Sequence, residues 1–273
     1  MNLPCPYRFP HGKRKALVMS YDDGSEHDRR LVDLFNCYGI RASFHLNSGR
    51  LGLPHHISPG ELPSLYQGHE ISCHSVNHPD LTQLPEEAIR REILDDRHAL
   101  EDWSGRPVRG LAYPFGAYDD RVLALLPELG IDYARTVICT ETFQISPDFL
   151  RWQTTCHHNR AMDLAERFLQ DNGMEPALLY IWGHSYELDG FMSGDPSKNW
   201  DYMETLCRCL HGHETVHYTT TIELVDYLNA VRRLDWSATT VTNKASMAVW
   251  LHWQDNTVEL QPGASMRLKH PQR

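Results

Sequence analysis

The 273-residue sequence predicts an α/β fold of repeated strand–helix units, which imply a parallel sheet or barrel. Three observations point there. Apolar runs alternate with segments of helical period along residues 16–234. The length suits a single (β/α) barrel. Polar residues of catalytic type follow the predicted strand ends: Asp22 and Asp23, His74 and His78, residues 113–116, Arg135 and His184. Functional groups at the carboxyl ends of parallel strands are the expected arrangement in a barrel enzyme.

The elements follow in order. Residues 16–21 read as a buried strand. Residues 27–38 read as a helix with Leu31, Leu34, Phe35 and Tyr38 on one face, ended by Gly39. Strands follow at 41–46 and 68–72. The longest helix spans 85–103, opened by Pro85 with Glu86 and Glu87 in its first turn. Next come a strand at 111–113, a helix at 119–129 closed by Gly130, and a strand at 131–137. A helix at 161–170, a strand at 177–182, a helix at 196–210, a strand at 215–218 and a helix at 221–234 complete the pattern. Beyond residue 236 the helical period is lost. Met247, Val249, Leu251 and Trp253 alternate with other residues, and Asp255-Asn256 supplies a turn before Val258 and Leu260. This reads as a small β appendage, residues 236–273, packed on a barrel of residues 1–235. It is too short for a core of its own.

Composition narrows the partners. With 41% hydrophobic and 23% charged residues, a full core is expected and disorder is not. A net charge of −10 disfavours nucleic acid. No apolar run reaches the length of a membrane span. Residues 1–15 are polar and proline-rich and lack the apolar stretch of a secretory signal, so a cytoplasmic location is expected. The seven cysteines are odd in number and scattered, which predicts free, mostly buried thiols in a reducing compartment. Cys73, beside His74 on a strand, should point into packing.

The chemistry-bearing residues come in four segments. In Ser20-Tyr21-Asp22-Asp23-Gly24 two adjacent carboxylates repel, and a cation beside them relieves this. In His74-Ser75-Val76-Asn77-His78-Pro79 the four-residue spacing puts both imidazoles on one face of a helical turn, which Pro79 stops. One carboxylate joining two imidazoles on a metal, with the other carboxylate free as a base, is what a mononuclear metal hydrolase needs. Tyr113-Pro114-Phe115-Gly116 reads as a rigid turn whose backbone N–H can serve as an oxyanion donor. His184, ending an apolar run, suits a general acid. Each segment alone also has a plainer reading: a strand-to-loop turn, or two histidines among seventeen. Trp152, Trp182 and Trp200 suit either a sugar ring or the core.

These four segments, in this order, resemble the polysaccharide deacetylase family, the NodB-homology or carbohydrate esterase family 4 group. The likeness spans residues 15–234. It implies a distorted (β/α) barrel of seven parallel strands with an open seam. It implies a divalent metal, usually zinc, held by Asp23, His74 and His78, with cobalt, nickel, manganese and iron also suited to the donor set. It makes Asp22 the base for the attacking water, the Phe115 N–H an oxyanion donor and His184 the acid for the leaving group. Tyr113 and Trp182 are expected at the substrate. The family often has an arginine in its third motif that pairs with the base aspartate. Ala112 stands there in this chain, and Arg135, at the end of the next strand, is the candidate replacement.

Residues 151–158 occupy the place of the fourth motif, where His157 and His158 read as loop histidines, with extra site groups as the alternative. The implied activity is hydrolytic removal of acetyl groups from an N- or O-acetylated carbohydrate. The alternatives are an amidohydrolase of a small cyclic or ureido amide, and a carbohydrate-binding barrel without turnover. The sequence leaves oligomeric state open.

Overall fold

Strand β1, Lys15–Asp22, runs through the middle of a parallel sheet that curls into a barrel. The computed structural model describes residues 7–190, 195–254 and 256–268; Cys5 and Asp255, both singled out in the sequence, lie outside them. From β1 the sheet passes through β2 (Ala42–Leu46), β3 (Glu70–Cys73), β4 (Gly110–Ala112) and β5 (Tyr133–Cys139). On its other side β1 pairs along its whole length with β7 (Ala177–His184), so Asp22 lies level with His184.

The sixth strand closes the ring. Its first part, Trp152–Thr154, pairs with β5, and its second, Cys156–His157, pairs with β7. At Thr155, between them, the N–H donates to Tyr180 O. A short strand, Val216–Tyr218, extends the sheet beside the first residues of β1. Residues 152–157 carried no strand expectation, and their histidines were read as loop residues. The structure corrects both: His157 ends the seam strand and His158 opens the turn after it.

The alternation of side chains along β1 divides the molecule. Leu17, Met19 and Tyr21 point outward into the core beneath the surrounding helices. Ala16 and Val18 point inward, with Leu178, Tyr180, Tyr133 and Trp152. Higher in the barrel, inside, the apolar residues give way to polar ones. Ser20 and Asp22 lie level with a fully buried chain of hydrogen bonds. His45 Nε2 lies 3.1 Å from the Tyr133 hydroxyl, which donates to Glu70 at 2.7 Å. Ser43 also donates to Glu70, at 2.6 Å, and lies 2.9 Å from Thr221 Oγ1.

Thr221 begins the helix Thr221–Arg232, which seals the end of the barrel away from the catalytic-type residues. Leu224, Leu228 and Val231 of that helix pack with Phe9, Val241, Val249, Leu251 and Leu260. The residues after 233 form antiparallel strands, as their alternation implies. Val249–Trp253 pairs with Asn256–Leu260, and Thr240–Asn243 lies between Leu234–Trp236 and Ser265–Arg267. Tyr7–Arg8, for which no strand was expected, adds a third strand to the first of these sheets. No helix among the described residues is long and apolar enough to cross a membrane. All six described cysteines are free. Cys73, Cys156 and Cys207 are buried, but Cys37 and Cys139 are exposed, so the thiols are less uniformly buried than expected.

The helix after β1, Asp28–Cys37, starts with a carboxylate that is wholly buried and accepts from the Ser185 and Tyr66 hydroxyls. Burial pushes Asp28 up to about 7, against an ordinary value near 3.9. A carboxyl whose folded pKa is raised contributes its stability below the unfolded value and loses it as pH rises through the folded one. Thermal stability should therefore fall between pH 5 and 8, and Asp28→Asn should flatten that slope; an unchanged slope in a pH series of melting curves would show that Asp28 is not its source.

Candidate active site

The residues read as catalytic from the sequence meet at the carboxyl ends of β1, β3, β5 and β7. The two adjacent aspartates diverge there. Asp22 is the last residue of β1 and keeps the inward direction of its strand. Asp23 has left-handed backbone, φ 81°, and Gly24 follows at φ 65°. A Cβ on Gly24 would lie 2.9 Å from Leu51 Cδ2, so both the dihedral and the space favour glycine there. This reversal sends the Asp23 carboxylate across the barrel mouth toward the histidines.

Asp23 Oδ1 lies 3.6 Å from His74 Nε2 and 3.9 Å from His78 Nε2. The histidine segment differs from expectation. It is not a helical turn: Ser75 and His78 have positive φ, 64° and 59°. The two rings meet edge to face at 4.6 Å across a left-handed loop.

That loop is anchored from below. Asn47 Nδ2 donates to His74 O at 2.6 Å and to Ser75 O at 3.0 Å. Buried Asp96 accepts from Ser48 N at 2.7 Å and from His74 N at 3.0 Å. Burial pushes Asp96 up to about 7. Its position was legible in principle: on the helix Glu86–Ser104 it falls in register with buried Ile89, Ile93 and Leu100, where an apolar residue would be expected.

The trio suits a divalent cation. His74 Nδ1 donates to Ala112 O at 2.8 Å, leaving the Nε2 lone pair directed at Asp23. Burial lowers His74 to about 4 and lowers His78 as well, so both rings are neutral donors near neutral pH. Asp23 Oδ1 is buried and has no hydrogen-bond partner among the described residues, whereas Oδ2 accepts from the Tyr186 hydroxyl at 3.2 Å. An unpartnered carboxylate oxygen facing two imidazole lone pairs is the environment that a bound cation would complete.

Asp22 meets Arg135. The two side chains, 3% and 1% exposed, form a hydrogen-bonded ion pair, with the guanidinium 4.8 Å from the Trp182 ring centroid. His45 lies 3.4 Å from the other carboxylate oxygen. Burial opposes ionisation of Asp22, but Arg135, His74 and His45 outweigh it and hold the carboxyl well below the usual range. His45 was missed in the sequence because nothing local marks it; it reaches the site only through the inward face of β2.

His184 stands on the opposite side. Its Nε2 is 3.9 Å from Asp23 Oδ2, and its Nδ1 is 3.2 Å from Glu187 Oε1. Burial opposes its protonation, yet Glu187 and the two aspartates raise its pKa overall. Glu187 and Tyr186 were also missed, although the spacing His-x-x-Glu at the start of a turn was visible.

Phe115 is 68% exposed, has φ 59°, and lays its ring against His78 with centroids 4.5 Å apart. Trp182 sits at the mouth against His157 and His184. The expectation for Tyr113 is corrected: its ring is 1% exposed, stacks on Tyr118 and donates to Leu150 O at 2.8 Å, so it supports the turn from inside instead of facing a substrate. Trp152 is likewise core, stacked on Phe149. Trp200 is buried and its ring carries Arg30.

Comparison with known proteins agrees with this geometry. Residues 10–134 match the family model described as polysaccharide deacetylase. That part of the chain is similar to the polysaccharide deacetylases. The chain is 33% identical over 116 residues to chitin deacetylase 1 of Cryptococcus neoformans, covering 41% of this chain and 24% of that protein. The chain spans under two thirds of the length of the curated relatives it matches. Its fold is that of a Mycobacterium smegmatis protein assigned as a polysaccharide deacetylase, with a TM-score of 0.61, 18% identity, and coverage of 84% of this chain and 96% of that one. A family 4 carbohydrate esterase from Streptomyces lividans, solved with acetate, aligns with a TM-score of 0.50 at 16% identity over 75% of this chain and 91% of that one. The barrel fold is therefore shared with these structures.

Asp96→Ala should weaken divalent-ion binding by about 10–100-fold, the usual effect of removing a group that orients a ligand. Titration of the metal-stripped protein with Zn²⁺ measures it, and an unchanged affinity would show that the loop holds His74 without Asp96.

Proposed function

We propose that this chain is a metal-dependent hydrolase that removes acetyl groups from an N- or O-acetylated carbohydrate. The observation that supports it most is the convergence of Asp23, His74 and His78 beside an ionised Asp22 paired with Arg135. We take residues 1–235 as the catalytic barrel and 236–273 as an appendage to it.

A divalent ion held by Asp23, His74 and His78, zinc first among the suited metals, would supply Lewis-acid polarisation of the acyl carbonyl and acidify bound water. The chain's own groups do the rest. Asp22 accepts the proton of the attacking water; Arg135 keeps it ionised and aimed. The Phe115 N–H, fixed in its left-handed turn, offers a hydrogen bond to the developing oxyanion. His184, its pKa raised by Glu187 and the aspartates, gives a proton to the departing amine or alkoxide. The exposed part of Trp182 offers an aromatic face to a sugar ring. Against a barrel without turnover stands the buried, ionised Asp22 beside the candidate metal donors Asp23, His74 and His78.

Acetate release from a panel of acetylated saccharides tests the reading, with cyclic and ureido amides alongside. Metal-stripped protein should be inactive, and Asp22→Asn should lose about 10²–10⁴-fold in turnover, the range that general-base groups contribute. Hydrolysis of the amides alone would move the substrate to small nitrogen compounds. No hydrolysis of either class by the metal-loaded protein would refute the proposal.

Arg135→Met tests the pairing separately. Without the guanidinium the Asp22 pKa rises, and turnover at neutral pH should fall at least about tenfold while metal content holds. Near-normal turnover would reject the role given to Arg135.

A further inference from the structure

A second set of metal-type donors lies beside the first. Around Glu187, the last polar residue of His184-Ser185-Tyr186-Glu187, three imidazoles gather. His157 Nε2 lies 3.0 Å from Glu187 Oε2, His158 Nε2 lies 3.2 Å from the same oxygen, and His184 Nδ1 lies 3.2 Å from Oε1. Donor atoms of His157, His184 and Glu187 all lie within 4.8 Å of one another. Two donors each about 2.1 Å from one ion, at angles between octahedral and tetrahedral, sit about 3.0–3.4 Å apart. The separations of His157 and His184 from the Glu187 carboxylate fall in that range.

The hydrogen bonding leaves these atoms unsatisfied. His184 Nδ1 and both His158 nitrogens are buried without a hydrogen-bond partner among the described residues, despite their closeness to the Glu187 carboxylate. The backbone is shaped for this crowding: a Cβ on Gly183 would lie 2.2 Å from His158 Nδ1. The side chains of His157, His184 and Glu187 keep 14–20% exposure, so the cluster is reachable from the barrel mouth.

We propose that His157, His184 and Glu187 form a second divalent-cation site next to the Asp23–His74–His78 trio, with His158 packed against the Glu187 carboxylate. Two imidazoles and one carboxylate repeat the donor set of the first site and suit zinc or cobalt. His184 joins the two sites, its Nδ1 facing the second and its Nε2 facing Asp23. A cation on Nδ1 takes the place of the proton there, so a chain with this second site filled lacks the imidazolium that the leaving group needs.

Equilibrium dialysis of the metal-stripped full chain against Co²⁺, followed by elemental analysis, counts the sites. Wild-type protein should hold two ions per chain. Glu187→Ala and His157→Ala should each hold one, and so should the double variant Asp23→Asn/His74→Ala, which disables the first site instead. Circular dichroism checks that each variant folds; His157, at the rim, provides the reading if Glu187→Ala does not. A wild-type chain that takes one ion, or a second ion that survives in a folded variant of the Glu187 cluster, overturns the proposal. The count requires no substrate, so its failure leaves the hydrolase reading standing.

Discussion

The geometry at the barrel mouth depends on a backbone reversal at Asp23. On an extended strand, adjacent side chains face opposite sides, and one of two neighbouring carboxylates would be lost to the outer core. Left-handed φ at Asp23 and Gly24 breaks the alternation after Asp22. The first carboxylate stays inside against Arg135, and the second crosses to His74 and His78. Two like charges in sequence thus face different partners. One meets a guanidinium, and the other faces two imidazoles.

Four non-glycine residues at this mouth, Asp23, Ser75, His78 and Phe115, hold positive φ. Such backbone costs on the order of 1 kcal/mol or more per residue and persists only where surroundings over-determine it. The surroundings are visible. Asn47 and Asp96 grip the histidine loop, Ser75 Oγ accepts from His78 N at 3.0 Å, and Gly116 N donates to Tyr113 O at 2.8 Å. The packed barrel below supplies the rigidity that keeps four unfavourable dihedrals in place.

Strong periodicity made much of the fold legible in the sequence. The helix expected at 161–170 is found at Ala161–Gln170, and that expected at 85–103 is found one residue later, at Glu86–Ser104. The seam strand escaped notice because Trp-Gln-Thr-Thr-Cys-His offers too few apolar residues to signal a buried strand. The same limit applied to the site. Residues carried by a motif could be named, but His45 and Asp96 come to it from other elements by packing. Arg135 stood between: expected at a strand end, it is the third residue of Tyr133–Cys139, and its contact with Asp22 needs the curvature of the sheet. Tyr113 shows the converse, a residue inside a motif whose side chain serves the core.

The polar chain inside the barrel has one further consequence. Thr221 and Tyr180 at its lower end are fully buried beneath the last helix, so the hydroxyls of Tyr133, Ser43 and Thr221 touch bulk water nowhere. At its upper end the chain reaches Asp22 through His45, 3.4 Å away. The dipoles of these buried hydroxyls therefore act on that carboxylate through an interior that screens them far less than water does.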